Sequence, residues 1–160
     1  MMCDIYLEEI NTIIDNFTRR FGCTAFLDKE FYYYPLVDKI GYCFDFGKAC
    51  KPNKMFMESV KRHKPKVKLN IFTWCLLHEL GHHATNDDFD EEEMARIDKK
   101  RRRVNKTQAH HPYYNLPDEL AATTWAVEYA NAHREEMLDF EDEIYEAVKK
   151  LKDFLDNEGE

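Results

Sequence analysis

Residues 78–82 read His-Glu-Leu-Gly-His and place two imidazoles and one carboxylate at a spacing that suits a metal ion. In a helix, His78 and His82 lie one above the other on the same face and can share the ion. Glu79 is rotated by about 100° from His78, so its carboxylate can reach a water on the metal without binding the metal. Zinc in a catalytic site keeps one position open for water and lowers the pKa of that water to about 7. The pattern therefore predicts a zinc site with Glu79 as general base.

The residues around this segment indicate a buried helix over residues 67–84, because they are apolar on most sides. Two histidines and a glutamate inside such a helix would be costly without a metal or polar partners. Gly81 lowers the helix propensity by about 1 kcal/mol relative to alanine. Its presence in the helix interior indicates that another element approaches closely there.

A third protein ligand is needed, and Glu119 is the first candidate. It lies near the start of a second predicted helix, 117–131, which opens with Pro117. Small residues share its face at helical spacing and would allow close packing against the first helix: Ala122, Ala126 and Ala130. Thr123, one turn beyond Glu119, is expected to contact a ligand histidine from outside the metal shell.

Four other residues stay open as the third ligand: Asp118, Asp88, His110 and His111. The position of Asp118 suits capping of the second helix better than metal binding. His83 points about 100° away from His82 and is not expected to share the ion. Glu119 has an alternative role as an acidic residue that stabilises the dipole of its helix.

The loop before the second helix contains possible hydrogen-bond donors for a reacting carbonyl. Attack on a peptide bond creates an oxyanion, which needs a donor besides the metal. Candidates for this role or for substrate contact are His110, His111, Tyr113 and Tyr114. The two tyrosines could instead be half-buried anchors of the loop.

The predicted helices and strands that position these residues indicate an α+β fold, mostly helical, in one domain spanning 1–160. Aromatic and β-branched residues over 24–47 predict two or three short antiparallel strands in the N-terminal third. A helix over 5–17 is expected to stop near Gly22, and an amphipathic C-terminal helix covers about 135–156. Lysine-rich residues 51–68 are interpreted as a basic connector, and the basic run 99–103 as a solvated helix face.

Composition restricts the function classes. The formal net charge is −8, whereas a dedicated nucleic-acid binder normally carries a basic surface, so nucleic acid is not an expected partner. The apolar stretches are far shorter than the roughly 20 residues that a membrane-spanning helix needs. Five cysteines, an odd number without a Cys-x-x-Cys pair, favour a reduced cytoplasmic protein.

Two segments together resemble the ImmA/IrrE-type metallopeptidases. The segments are Leu-Leu-His-Glu-Leu-Gly-His-His at 76–83 and Asp-Glu-Leu-Ala-Ala-Thr-Thr-Trp-Ala at 118–126. The resemblance implies a minimal zincin-like fold, similar to that of small gluzincin-like proteins of bacteria, phages and mobile elements. It also implies that His78, His82 and Glu119 hold Zn²⁺ and that Glu79 is the general base.

The resemblance further implies a regulatory endopeptidase that acts on a protein or peptide, for example a transcriptional repressor. Two alternatives keep the metal without the cleavage. One is a metal-binding regulator that uses the same scaffold to bind a partner. The other is an interaction module in which the metal only joins two helices. An open metal position facing a groove favours the enzyme, and a closed shell of four protein ligands favours a structural role.

Overall fold

The computed structural model describes residues 3–43, 51–107 and 113–158, and it confirms a mostly helical α+β fold with a small sheet in the N-terminal third. The described helices are α1 (Cys3–Arg19), α2 (Lys51–Arg62), α3 (Ile71–Thr85), α4 (Glu91–Thr107), α5 (Pro117–Ala132) and α6 (Arg134–Glu158). The strands are β1 (Thr24–Leu27), β2 (Tyr32–Tyr34) and β3 (Lys39–Tyr42). A short 3-10 turn, Asn86–Asp88, links α3 to α4. None of the described helices is long and apolar enough to cross a membrane.

The three strands form a mixed sheet in the order β1-β3-β2. The predicted antiparallel pairing holds for β2 with β3 but is wrong for β1, which pairs with β3 in parallel. The chain reverses its direction between β1 and β2 and again in the turn after β2, where Asp38 has a φ of 48°. As a result β3 runs in the same direction as β1 and lies between the other two strands. This order makes β2 an edge strand that packs against α3. The remainder of the predicted strand region, 44–47, lies outside the described residues.

Helices α1 and α6 pack against each other and form one side of the core. In α1, the side chains of Ile10, Ile13, Ile14 and Phe17 are buried whereas Ile5 is exposed, and the centre of the Phe17 ring lies 4.6 Å from that of the Phe140 ring of α6. Gly22 follows the end of α1 with a φ of 76°, as expected for a glycine that stops a helix. Both predicted helices are therefore confirmed, and each is a few residues longer than predicted.

The prediction of a basic connector over 51–68 is wrong for its first part, which is helix α2. Phe56 and Val60, one turn apart, are buried, whereas Lys54 and Lys61 are exposed. The lysines thus occupy the solvent side of an amphipathic helix whose apolar stripe is short. The chain between Arg62 and Ile71 is not helical, so α3 begins four residues later than predicted.

Helix α3 runs through the centre of the molecule and carries the predicted metal-binding pattern. Its central apolar residues are at most 2% exposed: Trp74, Leu76, Leu77 and Leu80. The Glu141 carboxylate of α6 accepts hydrogen bonds from the Asn70 backbone N–H and, at 2.8 Å, from the Thr73 hydroxyl. These groups lie at the start of α3, so a distant side chain satisfies donors that the helix itself leaves free.

Candidate metal centre

The metal-binding pattern lies at a close contact between α3 and α5. A Cβ atom on Gly81 would stand 2.4 Å from the Ala122 carbonyl oxygen and 2.8 Å from its Cα. The small residues predicted to face α3 are all buried: Ala122, Ala126 and Ala130. The predicted close approach at Gly81 is therefore confirmed, and the backbone of α5 is the element that approaches.

This contact brings the two histidines of α3 and Glu119 of α5 together. His78 Nε2 lies 3.3 Å from Glu119 Oε1, and His82 Nε2 lies 2.9 Å from Glu119 Oε2. One ligand atom from each residue lies within 4.8 Å of the other two, an arrangement that could hold a metal ion. His78 and Glu119 are each only 4% exposed, so their polar groups depend on one another or on an ion. Glu119 thus takes the position predicted for the third ligand.

Thr123 determines which nitrogen of His78 faces the centre. Its hydroxyl donates to the Glu119 carbonyl oxygen at 3.1 Å and lies 3.0 Å from His78 Nδ1. Because a hydroxyl has one proton to donate, its oxygen accepts from His78 and Nδ1 carries the hydrogen. Nε2 then faces the Glu119 carboxylate at 3.3 Å, where it can bind a metal through its lone pair or, when the ring carries a second proton, donate to the carboxylate.

The donor set of this group is compatible with zinc. A tetrahedral site with bonds of 2.0–2.1 Å separates neighbouring ligand atoms by about 3.3 Å. His78 Nε2 and His82 Nε2 lie 3.3 and 2.9 Å from the two different Glu119 oxygens, so the three side chains are within the range of such a site. Two imidazole nitrogens with one carboxylate oxygen are ligands that zinc accepts, and they leave one tetrahedral position for another group.

The charges at the centre form an ion pair in the metal-free chain. Burial alone would raise the pKa of Glu119, but hydrogen bonds with His78 and His82 hold it well below its usual range. Burial alone would lower the pKa of His82, but the hydrogen bond to Glu119 and its negative charge raise it to about 9. In the metal-free chain Glu119 is therefore ionised, and a proton on His82 balances its charge.

Glu79 lies beside the centre in a cavity of about 360 Å³ that reaches the protein surface. His82, Glu119 and Tyr113 line the same cavity, together with Tyr32 and other residues of the β2 region. Burial raises the pKa of the Glu79 carboxyl, although positive charge on His82 and His78 opposes the shift. A carboxylate with a raised pKa is a better proton acceptor than an exposed one.

The other candidates occupy different positions. Tyr113 lines the cavity, whereas the Tyr114 ring packs 5.5 Å from the Phe56 ring on the core side. Asp88 is exposed in the 3-10 turn, and within the described residues it is not part of the metal-binding group. Asp118 is buried in the first turn of α5, where it accepts the Glu119 backbone N–H at 2.9 Å, whereas the N-cap position itself is occupied by Leu116. His110 and His111 lie outside the described residues.

His83 was expected to point away from the ion, and its ring makes polar contacts with the sheet region and with the segment after α1. Its Nε2 lies 2.7 Å from the Phe21 carbonyl oxygen, which therefore accepts a hydrogen bond from it. Its Nδ1 lies 3.1 Å from the Tyr33 hydroxyl and 3.2 Å from Asp38 Oδ1. His83 thus joins the end of α3 to the sheet and to the segment after α1.

The sequence interpretation missed one residue at this site, Arg101. The expected solvated face describes Lys99, Lys100 and Arg102, which are exposed, but it is wrong for Arg101, which pairs with Asp118. Arg101 lies four residues after the buried Ile97, on the inward side of α4. The helical spacing from Ile97 was the signal that could have identified it.

The chain was compared with protein-family models, with curated proteins and with solved structures, and none of the three comparisons found a match. The resemblance to ImmA/IrrE-type metallopeptidases stays a prediction.

Proposed function

We propose that this protein is a zinc-dependent endopeptidase in which Glu79 is the general base. One observation carries the proposal: Glu79 lines the same cavity as His82 and Glu119. The general base and the accessible side of the metal-binding group thus face one space that is large enough for part of a peptide. A buried group that only joined two helices would not need this cavity or the additional carboxylate.

The proposed reaction assigns a task to each side chain at the site. When bound to His78, His82 and Glu119, the metal would supply Lewis-acid activation of a water and of the scissile carbonyl. Glu79 accepts a proton from the attacking water and then delivers it to the leaving amine. Burial and the negative charge of Glu119 raise the pKa of Tyr113, so its hydroxyl keeps its proton. Tyr113 can therefore donate a hydrogen bond to the carbonyl oxygen as it gains charge.

Edge strand β2 supports a peptide as the substrate. Tyr32, Tyr33 and Pro35, within and just after this strand, line the cavity that contains Glu79. An extended peptide can add to a free strand edge through backbone hydrogen bonds, largely independent of its sequence. We propose that β2 is a platform that holds the substrate chain across the site. The resemblance to ImmA/IrrE-type proteins suggests a regulatory protein, such as a transcriptional repressor, as the natural substrate.

The decisive experiment compares the parent protein with Glu79→Gln. Zinc content is measured by mass spectrometry and cleavage with a library of quenched fluorescent peptides. We expect the variant to keep its zinc and its circular dichroism spectrum and to lose cleavage by at least about 100-fold, since general-base catalysis contributes 10²–10⁴-fold. Glu128→Gln is a matched control, because Glu128 is exposed on α5 and should retain full activity.

Other outcomes separate the alternatives. Equal cleavage by the parent and Glu79→Gln would refute the general-base role. Zinc bound at one ion per chain without cleavage of any peptide or protein substrate would favour the non-cleaving metal-binding regulator. Glu119→Ala tests the third ligand separately, and undiminished zinc content in that variant would remove Glu119 from the site.

A further inference from the structure

Arg101 reaches the metal centre from an element that supplies none of the three ligands. It belongs to a run of five basic residues on α4, yet its side chain is only 20% exposed. Together with Met94, Ile97 and Val104 it forms the less exposed stripe of the helix, at three- and four-residue spacing. Burying part of a guanidinium is costly unless it is paired with acceptors. A guanidinium in this position therefore needs carboxylate or other acceptor groups around it.

The Arg101 guanidinium contacts three carboxylates at the edge of the cavity. Its Nη1 donates to Asp98 Oδ1 at 2.6 Å, and its Nη2 donates to Asp118 Oδ2. The same Nη2 lies 3.6 Å from Glu119 Oε2. The guanidinium carbon lies 5.7 Å from the centre of the Tyr113 ring, which limits its movement on that side. Arg101 thus faces both the ligand carboxylate and the acidic residue that precedes it.

The contact with Glu119 involves the oxygen that faces His82. Oε2 lies 2.9 Å from His82 Nε2 on one side and 3.6 Å from Arg101 Nη2 on the other. Asp118, which Arg101 binds, accepts the backbone N–H of Glu119. Arg101 is therefore connected to Glu119 in two ways. It contacts the Glu119 carboxylate directly, and it binds Asp118, which accepts the Glu119 backbone N–H at the start of α5. A rigid planar guanidinium can hold two carboxylates in a fixed relation, which a flexible ammonium cannot do as well.

We propose that Arg101 is a positioning residue that orients the Glu119 carboxylate for metal binding. The proposal depends on the metal site of the proposed function but not on peptide cleavage. Removal of the residues that surround and orient metal ligands commonly changes metal affinity by 10–100-fold. Arg101 would act in this way from α4, so docking of that helix and the affinity for the metal are linked.

A simple electrostatic effect predicts the opposite result. Arg101 is a cation close to a cation site, so its removal would strengthen the attraction between the carboxylates and a metal. A positioning role predicts weaker binding after removal, because Glu119 is less well oriented. The direction of the change in metal affinity therefore distinguishes the two effects.

The experiment measures zinc affinity of the full chain by competition with a chromophoric chelator. We expect Arg101→Gln to bind zinc 10–100-fold more weakly than the parent and Arg101→Lys to be weakened by a smaller factor. Arg102→Gln is the matched control, because Arg102 is the exposed neighbour in the same run and its replacement should leave affinity unchanged. The visible absorption of the Co²⁺-loaded protein should also change in Arg101→Gln, since it reports the ligand geometry.

A second variant separates positioning from a loss of folding. Arg101→Gln alone leaves Asp118 buried without its cation, whereas the pair Arg101→Gln with Asp118→Asn removes both charges. We expect the double variant to be folded by circular dichroism and to retain the weaker zinc binding. Parent-like or tighter binding in the single variant, or full recovery in the double variant, would overturn the proposal. Because the measurement is metal binding, it stays decisive even if the protein cleaves no peptide.

Discussion

Replacing Gly81 with alanine tests whether the closeness of α3 and α5 creates the metal centre. The new Cβ would stand 2.4 Å from the Ala122 carbonyl oxygen, where ordinary contacts are 3.4–4 Å. The two helices would have to separate by about 1 Å, because backbone atoms cannot rotate away as a side chain does. The substitution should therefore disturb both the folded state and the ligand geometry.

Two effects of opposite sign determine the size of the stability change. Alanine in place of glycine favours the helix by about 1 kcal/mol. Overpacking of a close contact costs typically 1–3 kcal/mol, and contact between main chains belongs at the upper end of that range. We expect a net loss of about 2 kcal/mol in the free energy of unfolding. For a chain of this length, that loss lowers the melting temperature by about 4–8 °C.

The measurement is urea unfolding of the metal-free protein, followed by circular dichroism in the presence of a chelator. Ala84→Gly serves as a control for helix propensity, because Ala84 is exposed on the same helix and its replacement should cost no more than about 1 kcal/mol. Zinc affinity of Gly81→Ala should also fall, since metal–ligand distances tolerate only about 0.2 Å. A variant that is about 1 kcal/mol more stable than the parent, with unchanged affinity, would refute the reasoning.

Two further predictions concern protons at the centre and the start of α3. Since His82 in the metal-free chain has a pKa of about 9 and a metal needs the neutral imidazole, zinc binding at pH 7 should release a proton. Zinc affinity should then rise with pH up to about 9 by as much as tenfold per unit, whereas a pH-independent affinity by chelator competition would contradict this. Glu141→Ala removes the acceptor for the Asn70 N–H and the Thr73 hydroxyl and should cost about 1 kcal/mol. Thermal unfolding checks it against Glu146→Ala, an exposed change on α6, and equal melting temperatures would exclude the capping role.

The parts of the site that the sequence predicted are local or periodic. His78 and His82 share a helix face because four residues make about one turn, and this holds wherever the helix lies. Glu119 and Thr123 were found because small residues on the same face marked α5 as a helix that could approach closely. Gly81 indicated that approach from the other side. These inferences needed helical spacing and side-chain size, but no knowledge of the tertiary arrangement.

The parts that the sequence did not predict depend on contacts between distant elements. The parallel pairing of β1 with β3 depends on how the chain turns after β2, which strand composition does not specify. In α2 the many lysines suggested a connector, because the apolar stripe that marks the helix consists only of the short pair Phe56 and Val60. Glu141 lies 71 residues from Asn70, so its role at the start of α3 cannot be inferred from local spacing. Within the basic run, Arg101 is distinguished from its neighbours only by its four-residue spacing from the buried Ile97, which places it on the inward side of α4.

Separate residues control the distance between the ligands and their orientation. Gly81 and Ala122 determine how closely α3 and α5 approach, and so whether the histidines can reach Glu119. Thr123 directs Nε2 of His78 toward the centre. If Arg101 orients Glu119, its replacement should change metal affinity more than the stability of the metal-free protein, whereas Gly81→Ala should change both. Comparing the two variants would thus show whether the geometry of the centre depends on helix packing alone or also on the side chain that α4 contributes.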